Sequence, residues 1–176
     1  MRLSLLLLVS MLAYAQAPSS AASDPAYTPL SKAYAALQDK QYDEAIRLFV
    51  LGIDAAPGRA AIRKDLAYCY LKVGENEAAR GQFAAAMRIN PADFQAALEF
   101  AFLCHQTHME AEARRVFDRV RVAGDPASRA TAEQAFQNID RPLAAGIDRW
   151  KKALELAPGN PEYQDHMARY RKAAGA

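Results

Sequence analysis

Asp43-Glu44-Ala45-Ile46-Arg47-Leu48-Phe49 is the first of three similar segments. Glu77-Ala78-Ala79-Arg80-Gly81-Gln82-Phe83 follows it, and then Ala111-Glu112-Ala113-Arg114-Arg115-Val116-Phe117. Ala45, Ala79 and Ala113 stand 34 residues apart, and so do Phe49, Phe83 and Phe117. Pro57 and Pro91 keep the same interval. A second series, Ala33-Tyr34, Ala67-Tyr68, Ala101-Phe102 and Ala135-Phe136, repeats with the same period of 34. So many coincidences at one period mark a repeat architecture.

Each unit reads as two helices. Asp65-Leu66-Ala67-Tyr68-Cys69-Tyr70-Leu71-Lys72 runs into Val73-Gly74, a helix stop. Glu77 to Ile89 follows, with apolar Ala79, Phe83, Ala86 and Met87 at helical spacing. Asn90-Pro91 ends that helix, because the residue before a proline is pushed out of the helical region. The first unit has the same plan, with a helix to about Gln38, a turn at Asp39-Lys40-Gln41, and a helix from Tyr42 to Ala55. One such pair cannot bury its apolar face, whereas stacked pairs can.

A 34-residue unit carrying Leu66-Ala67, Tyr70, Gly74, Ala79, Phe83, Ala86 and Pro91 resembles a tetratricopeptide repeat. The first unit keeps Ala33, Ala45, Phe49, Gly52 and Pro57; the third keeps Phe100-Ala101, Ala113 and Phe117. A fourth has Gly146, Trp150, Ala153, Leu154 and Pro158, with one residue missing near an expected turn at Asp140-Arg141-Pro142. The resemblance implies an all-α fold. It is a right-handed α-solenoid of about four tetratricopeptide helix-turn-helix repeats plus a C-terminal capping helix. The repeats fall at about 27–59, 60–93, 94–127 and 128–160, and a polar cap at 161–174 closes a domain spanning 27–176.

Outward from the repeats, 39 of the 176 residues are alanine and only 8 are glycine, which suits helices rather than strands. The net charge of +2 lacks the basic stripe of a nucleic-acid protein. Arg2, an apolar run over 3–13 and small residues after it form the layout of a secretory signal. The run is shorter than the roughly 20 residues of a membrane span, so no stable membrane insertion is expected after cleavage. Ala13-Tyr14-Ala15 precedes Gln16 and sets the signal at 1–15; a cut after Ala17 meets Pro18. Residues 16–26 have linker composition. The expected setting is export to the periplasm or beyond, by analogy in a bacterial envelope.

By resemblance, the residue after each small alanine of the first helix faces the concave groove. These residues are Tyr34, Tyr68, Phe102 and Phe136, one aromatic per repeat, with Tyr170 a poorer match. Leu30, Lys64, Leu98 and Ala132 lie one turn before them; Leu37, Leu71, Lys72 and His105 lie on the far side. The expected partner-binding groove is thus aromatic and mildly basic: Tyr34, Lys64, Tyr68, Leu98, Phe102, His105 and Phe136. Such a groove suits an extended peptide or an apolar helix. The bland reading of the same rings is packing between neighbouring first helices. Lys64 also invites comparison with the basic clamp of some tetratricopeptide proteins for a chaperone's C-terminal carboxylate. That clamp needs an Asn where this chain has Tyr68 or Phe102.

Cys69 and Cys104 are 35 apart, one place out of register, which favours two buried thiols over a bridge. Cys104, His105 and His108 are the one cluster with metal-ligand chemistry, fewer than the four ligands of a structural zinc site. No Gly-rich phosphate loop, Gly-x-Ser-x-Gly elbow or His-Glu-x-x-His occurs, and Glu110 and Glu112 suit a helix start. The chain is therefore read as a non-catalytic module for a protein or peptide partner, with no cofactor. Self-assembly through the convex face or the end repeats is the alternative, and a metal protein or enzyme around Cys104, His105 and His108 the remote one.

Overall fold

Eight helices follow from the pattern of small and large apolar residues in the computed structural model, which describes residues 24–175. They are α1 (Tyr27–Gln38), α2 (Tyr42–Ala55), α3 (Ala60–Lys72), α4 (Asn76–Ile89), α5 (Phe94–Gln106), α6 (Glu110–Ala123), α7 (Pro126–Leu156) and α8 (Pro161–Ala174). Each packs chiefly on its neighbours in sequence, the signature of a solenoid. The expected signal segment and its cut sites lie outside the described residues. Of the stretch read as a linker, Asp24 and Ala26 are packed: Ala26 is fully buried, and Asp24 accepts hydrogen bonds from Ala26 N at 3.0 Å and Arg59 at 2.6 Å.

The three hairpins share one turn. Lys40, Gly74 and His108 occupy the left-handed region, with φ of 57°, 83° and 58°. After each, a backbone N–H reaches the carbonyl five residues back: Gln41 to Ala36, Glu75 to Tyr70 and Met109 to Cys104, at 2.8, 2.9 and 2.8 Å. This closure satisfies carbonyls left over at the helix end. Its central residue must hold positive φ, which glycine does freely and other residues at a cost.

The fourth turn does not form. Its central position, 34 residues beyond His108, is Pro142. A proline ring locks φ near −65°, so the left-handed turn is closed to it. The chain continues instead as the 31-residue α7, with Pro142 inside the helix. The expected turn at Asp140-Arg141-Pro142 is thus corrected: the solenoid has three helix pairs, then the long α7, then α8.

Three of the helix starts are written in the side chains. Asp93 caps α5 by accepting from Ala96 N at 3.0 Å, and Asp125 caps α7 by accepting from Ala127 N and Ser128 N. Asn160 caps α8, and α7 and α8 both place proline at the first helical position, where its missing donor costs nothing.

The core is a row of large rings among small residues. Phe49, Phe83 and Phe117 are completely buried, as are Ala33, Ala67, Ala101, Ala45, Ala79 and Ala113. The alanines let backbones approach, and each ring fills the space between pairs. The fourth ring is Trp150, displaced one place by the missing residue. It stacks on His166 at 4.2 Å, parallel within 2°, and meets Tyr163 at 5.7 Å. α8 runs antiparallel to the distal half of α7. Its Tyr170 ring lies over Gly146, where an added Cβ would fall 1.9 Å from the ring edge. Its last turn reaches α6, where Arg114 donates to the Ala174 carbonyl at 3.1 Å.

Two substitutions test this construction. His108→Gly relieves a strained left-handed residue and should raise unfolding free energy by about 1 kcal/mol in urea denaturation. Gly146→Ala should lower it by about 1–3 kcal/mol, because the methyl group displaces the Tyr170 ring. The loss should shrink when Tyr170→Ala is combined with it.

Candidate functional site

The face lined by α1, α3 and α5 carries three half-exposed rings in register. Tyr34, Tyr68 and Phe102 are 41%, 37% and 39% exposed. Each is fixed edge-on by the buried phenylalanine of its own hairpin. Tyr34 meets Phe49 at 5.2 Å and 82°, Tyr68 meets Phe83 at 5.2 Å and 80°, and Phe102 meets Phe117 at 4.9 Å and 67°. Edge-to-face contact is the favoured geometry for such pairs. One face of each ring packs on core while the rest meets solvent, so both readings of these aromatics hold in part.

Each tyrosine hydroxyl crosses to the next hairpin. Tyr34 Oη donates to Asp65 Oδ2 at 2.5 Å, and Tyr68 Oη donates to Glu99 Oε1 at 3.2 Å. Glu99 Oε1 also accepts from Gln95 Nε2 at 3.0 Å. Phe102 has no hydroxyl, and the equivalent acid, Glu133, instead meets Arg121 at 3.5 Å. Asp65, Glu99 and Glu133 repeat at 34 residues, each three places before a ring. That spacing was available in the sequence, one residue from the row containing Lys64 and Leu98.

The remaining expected groove residues divide. Phe136 is only 7% exposed and belongs to the core with Phe117, Val120 and Ile139. The guanidinium groups of Arg114 and Arg121 lie 5.0 and 4.5 Å from its ring centre. It leaves the exposed row because its ring packs into the core formed by α5 and α6, under the guanidinium groups of Arg114 and Arg121. Leu98 is also core, at one turn from Phe102 on the inward side of α5. Lys64 Nζ is held by Asp93 Oδ2 at 2.7 Å, tying the second hairpin to the cap of the third. His105 is exposed, one turn beyond Phe102. The expected mild basicity is corrected: Lys64 is neutralised, and the acids flank the rings.

Ionisation follows this packing. Burial, then the hydrogen bond to the Asp65 carboxylate, pushes the Tyr34 hydroxyl up to about 12. Burial and the charge of Glu99 raise that of Tyr68. Burial opposes the charge on Asp93, but the Lys64 ammonium and the Ala96 N–H hold its carboxyl below the usual range. Cys69 and Cys104 are free, completely buried thiols, and burial raises both, Cys104 to about 11. Cys104 faces the core while the His108 side chain is 91% exposed, 3.7 Å from Glu110, so the three residues of the metal reading do not converge. Among the described residues no three His, Cys, Asp or Glu side chains gather closely enough to hold a metal ion. Among them, too, no helix is long and apolar enough to cross a membrane.

Residues 36–86 match the family model of the tetratricopeptide repeat. The fold is that of tetratricopeptide-repeat proteins. MamA protein superposes with a TM-score of 0.61 at 13% identity, covering 86% of this chain and 84% of that one. A tetratricopeptide repeat protein from Parabacteroides merdae gives 0.60 at 14% identity, over 89% of this chain and 62% of that one. The Yersinia enterocolitica type III secretion chaperone SycD, in complex with a peptide of the translocator YopD, gives 0.59 at 16%, over 68% and 95%. No curated protein matches the chain in sequence.

The tyrosine shift has a definite sign. A phenol raised in the folded state and titrating near 10 when unfolded contributes stability that is complete below about pH 10. That stability is lost as pH rises through about 12. Urea unfolding followed between pH 8 and pH 12 should show a flatter alkaline decline for Tyr34→Phe than for the parent chain.

Proposed function

We propose that the chain is a non-catalytic interaction module that seats an extended peptide across the face of α1, α3 and α5. The observation that carries this reading is the row Tyr34, Tyr68 and Phe102, half-exposed at one period. Rigid rings supply contact area at little conformational cost, and each is already braced by a buried phenylalanine. SycD, of the same fold, is described with a translocator peptide bound, which supports a peptide as the class of partner.

We place the module outside the cytoplasm, in a bacterial envelope, on the strength of Arg2 and the apolar run that follows it. Two unbridged cysteines are compatible with that setting because both are buried in separate helices.

The test is capture of a partner from envelope extract by the chain and by Tyr68→Ala/Phe102→Ala, with helicity checked by circular dichroism. A partner retained by the parent chain and lost by the still-helical variant is the expected result. Equal retention by both would move the site to the convex face or the ends of the array.

A further inference from the structure

We draw no further inference here: the strongest candidate, the cavity of about 420 Å³ between the start of α6 and the last turn of α8, joins a helix N-terminus to charges of both signs, of which Glu112 and Arg169 are already paired with Arg115 and Asp165, and nothing in the structure shows what fills it.

Discussion

A phenylalanine ring wedged among alanines is the constraint on which the molecule depends. Phe49, Phe83 and Phe117 each fill a space that exists only because Ala45, Ala79 and Ala113 lack bulk. Small residues permit close helix approach, and the ring then consumes the volume between pairs at interior density. Every later feature inherits its position from this wedge. The interval between hairpins, the direction of the first helices and the edge-on support for Tyr34, Tyr68 and Phe102 all descend from it.

That support explains how a half-exposed ring can be rigid. A surface tyrosine usually samples several rotamers, yet here one edge is seated on core and the hydroxyl is held by the next hairpin. The hydroxyl–carboxylate bonds therefore do two things. They couple neighbouring repeats, and they station a charge beside each ring. The third step lacks this coupling because Phe102 has no hydroxyl, and Glu133 turns to Arg121 instead. The Lys64–Asp93 pair supplies a second tie between hairpins, joined to a helix cap rather than to the open face.

Regularity ends at Pro142. A left-handed turn and a proline cannot share a position, so the array gives way to one long helix and a returning one. α8 then closes the end by laying Tyr170 over Gly146 and stacking His166 on Trp150. Phe136, which by period alone belongs with the exposed row, is buried instead against α5 and α6. A single residue type at a single backbone position thus sets the number of hairpins.

The period of 34, the alternation of small and large residues and the turn glycine made the helix pairs legible in sequence, because they encode local geometry and repeat spacing directly. The three exposed rings were legible for the same reason. The acids Asp65, Glu99 and Glu133 were equally periodic, but their partners depend on which side of a helix faces the neighbouring hairpin, and that is settled by packing. Leu98 and Phe136 looked like groove residues because period does not report depth; burial is decided by what lies on top. Lys64 looked like a free cation because its partner, Asp93, is brought within 2.7 Å only when two hairpins stack. Sequence by itself determined the repeating unit, since its cause lies within one turn of chain. Tertiary structure decided the extent and charge of the face, since these arise between segments some thirty residues apart that meet only in the folded stack.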